Sequence, residues 1–330
     1  MDNEQLLKTR QVIQSKERAI DPTQFKKSFL DIQYTGDSPQ QRLDVFLPEA
    51  EGVWPLIVFV HGGGWFFGGR REECISFVFK FVSQGYAVAT VDYRLVPEST
   101  FPGSIHDVKA AIRYLRAHAE ELQLNTDKIV VCGNSAGGHL AALAAVKGDF
   151  PLLDDLSMGN AEYSSEVDGL ISWYGVFDME HHRKQVLELY PEKANEDDPN
   201  IPMFLGTTFD ADDWAEKSHA ASAINYVTPD YPPTLIQQGL ADRIVPYTQA
   251  KEFYQKICEV CGPDRATVEY FPDAGHAAPV IKANENLLRC LKFLDSIYYP
   301  DGNIPYERPE LPELQFVETA GTATDPFEKQ

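Results

Sequence analysis

Ser135 stands in Gly133-Asn134-Ser135-Ala136-Gly137, directly after the apolar run KIVVC and directly before the helical stretch AGGHLAALAAV. A glycine-x-serine-x-glycine match alone is expected in roughly one chain of this length in ten, so the flanks carry the argument. A serine on a tight strand-to-helix turn is held in a strained conformation, and flanking glycines are needed where a Cβ would strike the neighbouring strand or helix. The strain exposes Oγ as a nucleophile. It also sets the Ala136 N–H at a helix N-terminus, where partial positive charge favours a developing oxyanion. A second signal, His61-Gly62-Gly63-Gly64-Trp65, follows the apolar run PLIVFV and is far rarer by chance. Its glycines let backbone N–H groups approach a reacting carbonyl oxygen with no side chain between. A phosphate loop would need a GxGxxG register or a Lys-Ser/Thr pair, and the segment has neither.

A serine on such a turn takes its partners later in the chain, acid first and histidine last. Of eight histidines, only His276 follows a plausible acid position, in the loop Pro-Asp-Ala-Gly-His after the alternating run ATVEYF. His61 belongs to the glycine loop, His106 and His118 to an upstream helix, and His139 lies one turn past Ser135. His181, His182 and His219 read as surface residues. The acid should leave the end of the preceding strand, where TLIQQ-Gly239-Leu240-Ala241 places Asp242. Asp264 and Asp273 are the alternatives, one preceding the last strand and the other sharing the histidine's loop. Together Ser135, Asp242 and His276 describe acyl transfer through a covalent intermediate.

Elements must bring these distant residues together. Residues 55–60, 86–91, 128–132, 169–174 and 234–238 are continuous apolar runs, as expected of strands covered on both faces. Helical patterns over 74–84, 103–122, 136–147, 247–260 and 281–298 alternate with them, which predicts a mostly parallel α/β sheet with helices on both faces. Residues 29–34 and 42–47, joined by Gly36-Asp37-Ser38-Pro39, predict an antiparallel N-terminal edge hairpin. The organisation is an amphipathic arm over 1–28, with Leu6, Leu7, Val12 and Ile13 on one face, a catalytic domain over 29–299, and a Pro/Glu-rich tail over 300–330 that is disordered, wrapped on the body, or an interaction tail. Residues 178–230 are too long for a plain connection and read as a lid-like insertion. Its Met203, Phe204, Leu205 and Trp214, with Trp65, Phe66 and Phe67 of the glycine loop, are expected to form an apolar substrate pocket.

The chain has 29 basic and 50 acidic residues, a net charge of −21, and no apolar run long enough to span a bilayer. Nucleic-acid binding is therefore not expected, since it needs clustered Lys and Arg. A neutral small molecule suits this field better than a polyanion. Five scattered cysteines predict free thiols, and the Cys258/Cys261 pair lacks the second pair or histidine that a metal site needs. No metal or cofactor is expected. The start MDNEQLLKTRQ has no basic n-region or apolar core, so the expected location is cytoplasmic. Oligomeric state is not legible.

These placements coincide with a resemblance. HGGGW, the segment DYRLVPE (92–98) with Phe101-Pro102, the helix HDVKAAIRYL, GNSAGGHLAAL, and Gly239-Leu240-Ala241-Asp242 with Val245-Pro246 resemble the hormone-sensitive-lipase-like α/β-hydrolases. The likeness covers residues 30–298 and is nearest to small carboxylesterases and the bifunctional acetylxylan/feruloyl esterase branch. It implies hydrolysis of small acyl esters, acetylated or feruloylated oligosaccharides among them. It also favours Gly63 and Gly64 over Gly62 as oxyanion donors beside Ala136. Arg94 and Glu98 of DYRLVPE read as structural bracing. Many lipase-like members carry Asp before the serine where this chain has Asn134, which weakens that subgroup. HGGGW also resembles the HGGxW of arylformamidases. The rival activities are an arylformamidase and a short-chain lipase, and the rival outside catalysis is a ligand-binding protein on a hydrolase fold.

Overall fold

The computed structural model describes residues 6–10, 18–196 and 199–318. Its main sheet comprises β2 (Lys27–Gln33), β3 (Arg42–Leu47), β4 (Trp54–Val60), β5 (Ala87–Val91), β6 (Leu124–Asn134), β7 (Gly169–Trp173), β8 (Thr234–Gly239) and β9 (Ala266–Phe271), and β1 (Arg18–Ile20) lies outside it. The spatial order is β2-β3-β5-β4-β6-β7-β8-β9. β2 pairs antiparallel with β3 at one edge and β3 pairs antiparallel with β5, while all later neighbours are parallel. Every residue of β4, β5, β7 and β8 is buried, which explains their unbroken apolar runs. Side chains alternate between the two faces of β4. Leu56, Val58 and Val60 enter one apolar core, and Ile57 and Phe59 enter the core on the other face.

Some boundaries differ from the sequence expectation for physical reasons. β6 begins at Leu124, because Asn125 pairs by backbone with Pro55 across a register shift that polar side chains do not advertise. The run expected as one helix over 281–298 is two, Pro279–Lys282 and Asn284–Tyr298, since Ala283 takes an extended conformation. Residues Glu73–Gln84 form 3-10 turns that end at the left-handed Gly85. The segment expected as a lid-like insertion contains helices Met179–Leu189, Asn200–Leu205 and Trp214–Ala221, and its Ile201, Phe204, Leu205 and Ala221 are buried.

The two ends meet. β10 (Phe316–Glu318) pairs antiparallel with β1. Before it, Arg308 forks onto both carboxylate oxygens of Asp295 at 2.7 and 2.6 Å and donates to the Gln84 carbonyl at 3.0 Å. Tyr306 packs over Gly85, where a Cβ would sit 1.9 Å from its ring. In the N-terminal arm residues 6–10 are helical, with Leu6 buried, and Arg10 donates to the carbonyls of Phe66 and Val96. Val12 and Ile13 lie outside the described residues. DYRLVPE braces the sheet edge: Arg94 pairs with buried Asp107, Glu98 accepts from Ser38, and the Tyr93 hydroxyl donates to the His61 carbonyl.

Candidate active site

Ser135 occupies the turn between β6 and the helix Ala136–Ala144 with φ 53° and ψ −120°, a left-handed strain on a non-glycine residue. Its N–H donates to the Trp173 carbonyl at 2.9 Å. Both neighbouring glycines are obligatory. A Cβ on Gly133 would fall 2.2 Å from the Gly137 oxygen, and one on Gly137 would fall 2.1 Å from the Val60 oxygen. The turn therefore closes only with hydrogen at both positions, and Ser135 itself stays partly exposed.

Chains of contact converge there. The Ser135 hydroxyl donates to His276 Nε2 at 3.0 Å, and His276 Nδ1–H donates to Asp242 Oδ2 at 2.7 Å. Asp242 is fully buried at the end of β8 and accepts four hydrogen bonds. The Ile244 and Val245 N–H groups reach Oδ1 at 2.9 Å each, and Gln238 Nε2 reaches Oδ2 at 3.1 Å alongside His276. Such a carboxylate is fixed in orientation and can hold only one imidazole tautomer. Asp264 and Asp273 are exposed and take no part. The Tyr174 ring lies edge-on to His276 with centroids 4.8 Å apart.

The glycine loop is ordered by Asn134. Its Oδ1 accepts from the Gly62 N–H at 3.0 Å, and its Nδ2 donates to the Tyr174 hydroxyl at 3.4 Å. Gly62 is thus engaged within the protein, whereas among the described residues the N–H groups of Gly63, Gly64 and Ala136 donate to no protein atom. Residues 63, 64 and 65 have φ of 107°, 59° and 58°, a run of positive φ that favours glycine at the first two positions. At Gly63 a Cβ would meet the Phe67 carbonyl at 1.9 Å. The Asn200 carboxamide lies over Gly64, its carbon 3.2 Å from where a Cβ would be. Asn134, Tyr174 and Asn200 were not singled out by sequence reasoning. Asn134 registered only as a departure from a motif, and Tyr174 and Asn200 carry no sequence signal of their own.

The expected aromatic pocket is corrected in part. Trp65 is 2% exposed and Phe204 0%, and they stack on each other at 4.6 Å, so both are core residues that present no face to a ligand. Stacking removes a face of each large ring from water, which stabilises the pair inside the core. Phe66 is buried beneath the Arg10 guanidinium, 5.4 Å from its ring. Phe67 and Trp214 are half-buried, and Trp214 packs against exposed Phe209. His182 is also not a surface residue: it is buried and its Nε2–H donates to the Ile244 carbonyl at 3.0 Å, tying the insertion to the Asp242 loop. His61 is buried against Tyr93, which lowers its pKa, and its Nδ1–H donates to the Gly62 carbonyl. All five cysteines are free thiols. Among the described residues no group of three or more His, Cys, Asp or Glu is arranged to hold a metal ion, and no helix is long and apolar enough to cross a membrane.

A sheet of this order, with a strained serine at the first strand-to-helix turn after its central strand and a glycine loop beside it, is the α/β-hydrolase fold. The chain belongs to the BD-FAE family, whose model matches residues 43–257. It is 33% identical over 248 residues to Esterase LipC of Mycobacterium tuberculosis, a match covering 73% of this chain and 58% of that protein. Esterase LipQ of the same organism is 30% identical over 231 residues, with 68% and 50% covered. The chain therefore spans half to three fifths of the length of these relatives. Among solved structures, a truncated carbohydrate esterase from gut microbiota superposes with a TM-score of 0.69 at 25% identity, covering 84% of this chain and 98% of that one.

Proposed function

We propose that this protein is a serine carboxylesterase that hydrolyses small acyl esters, acetyl esters foremost, through an acyl-enzyme. His276 Nε2 takes the Ser135 proton as Oγ attacks the ester carbonyl, and Asp242 fixes the tautomer and stabilises the imidazolium. The N–H groups of Gly63, Gly64 and Ala136 receive the oxyanion. The imidazolium returns its proton to the departing alcohol. Water, deprotonated by the same base, then attacks the acyl carbon and releases the acid and Ser135. In this reading residues 29–299 form the catalytic body, and the insertion 178–230 roofs it, with Phe67 and Trp214 as the aromatic surfaces open to a substrate.

The observation that carries the proposal is the unbroken relay from Ser135 Oγ through His276 to Asp242, at 3.0 and 2.7 Å. Family membership and relatives named as esterases support the ester class. A carbohydrate alcohol moiety is supported by the relative named as a carbohydrate esterase. The test is a panel of acetyl, butyryl, octanoyl, feruloyl and N-formyl compounds compared by kcat/KM. Soluble acetyl esters are expected to be turned over fastest. N-formyl anilides in first place would make it a formamidase, emulsified long-chain esters a lipase, and binding without turnover a ligand-binding protein.

A further inference from the structure

We propose that His139 is a positioning residue for the oxyanion amides, locking Trp65, and through it Gly63 and Gly64, to the helix that follows Ser135. The proposal rests on the reading of those amides as oxyanion donors. His139 is wholly buried and cannot touch a substrate. Its position is nonetheless unusual, because three separate parts of the site end on it.

The backbone N–H of His139 donates to the Ser135 carbonyl at 3.1 Å. Its ring Nδ1 accepts from the Trp65 indole N–H at 3.2 Å, and its Nε2–H donates to the Ala221 carbonyl in the insertion at 2.8 Å. The imidazole stands edge-on to both Trp65 and Phe204, at 5.3 and 5.5 Å. One tautomer alone satisfies both ring contacts. Burial lowers the ring pKa to about 4, so it stays neutral with that tautomer at ordinary pH.

Trp65 needs such an anchor. It directly follows Gly64 and holds φ 58°, a left-handed conformation that a bulky side chain avoids. Its carbonyl is tied down by the Val96 N–H at 2.9 Å and its indole by His139 and Phe204, so the loop's last residue is fixed at both ends. With Asn134 holding Gly62 at the other end, the two unengaged amides are suspended between fixed points. A shift of a few tenths of an ångström in Trp65 would move them away from the position of the oxyanion, where donor geometry counts most.

The test compares Trp65→Phe, which keeps a ring against Phe204 but deletes the N–H, with His139→Gln and His139→Leu. The readouts are kcat and KM on a soluble acetyl ester, melting temperature, and inhibition by a boronic acid that forms a tetrahedral adduct with the serine. Trp65→Phe is expected to lower kcat about tenfold with KM within twofold, less than the ~10²–10³ of deleting a donor outright. Boronate affinity should fall in the same proportion. His139→Gln, which retains a donor and an acceptor, should recover part of what His139→Leu loses. If His139→Leu does not fold, Trp65→Phe decides alone. A lowered melting temperature with kcat and boronate affinity unchanged would assign the cluster to stability only and overturn the proposal. Absence of boronate inhibition in the unmodified protein would instead remove the serine reading, and the positioning role with it.

Discussion

Asp242 accepts two backbone N–H groups on Oδ1, which leaves Oδ2 facing His276 with no freedom to exchange roles. In Asp242→Asn the amide oxygen would stay with the Ile244 and Val245 amides, and the NH₂ would turn to the imidazole. Nδ1 must then accept, the proton moves to Nε2, and His276 can no longer receive the Ser135 proton. Activity on an acetyl ester should fall about 10⁴-fold, with a modest drop in melting temperature because the NH₂ also displaces the Gln238 amide donor from Oδ2; a loss of activity under tenfold would mean that another group orients His276. Ser135, Asp242 and His276 were legible because a strand-to-helix turn, a strand end and a late loop each announce themselves in the sequence. Asn134 was visible but not interpretable, since its partner at Gly62 is 72 residues distant. Trp65 and Phe204 were misjudged for the same reason: an aromatic after a glycine loop reads alike whether it lines a cleft or stacks on a ring from another segment.

The turn that presents Ser135 depends on elements packed at backbone contact. Gly137→Ala would drive a Cβ into the Val60 and His61 carbonyls, groups that cannot swing aside, and is expected to destabilise by roughly 3 kcal/mol in urea unfolding. Gly36→Ala, with no atom within 4 Å of the added carbon, should stay within about 0.5 kcal/mol. A tolerated Gly137→Ala would contradict the tight turn. The buried His139 gives the same elements a pH dependence. Its pKa is lowered to about 4 when folded, against about 6.5 when unfolded, so the unfolded chain binds more protons between these values. Stability should therefore be full above pH 6.5 and decline as pH falls toward 4, by up to about 3 kcal/mol from this group. The His139→Gln protein should show a shallower decline between pH 7 and 4.5, and an equal slope would remove His139 as its source. The buried strands were legible because burial on both faces writes itself as apolar residues. The start of β6 and the break at Ala283 were not, because backbone pairing and one extended residue leave no mark in side-chain pattern.

At the scale of the whole molecule, residues 306–318 are bound to the body by specific contacts. Arg308 forks onto Asp295 and caps the Gln84 carbonyl, Tyr306 fills the space over Gly85, and β10 completes a two-stranded sheet with β1. Both partners of the Arg308–Asp295 pair are largely shielded from water. Arg308→Ala should cost about 1–3 kcal/mol in unfolding free energy while leaving kcat within twofold, since its partners are Asp295 and the Gln84 carbonyl and not Ser135, Asp242 or His276. An unchanged unfolding curve would show that the wrap contributes nothing. Sequence composition, rich in Pro and Glu without periodicity, left several fates open for this stretch; its anchoring combines single side chains such as Arg308 and Tyr306 with backbone pairing at Gln315 and β10.

The central claim is that Ser135 becomes the covalent carrier of the acyl group. Reaction with a fluorophosphonate, followed by peptide mass spectrometry, tests it most directly. One equivalent of label on Ser135, lost in Ser135→Ala and slowed in His276→Ala, is the result expected. Label on any other residue, or none under conditions in which the protein hydrolyses an acetyl ester, would contradict the account.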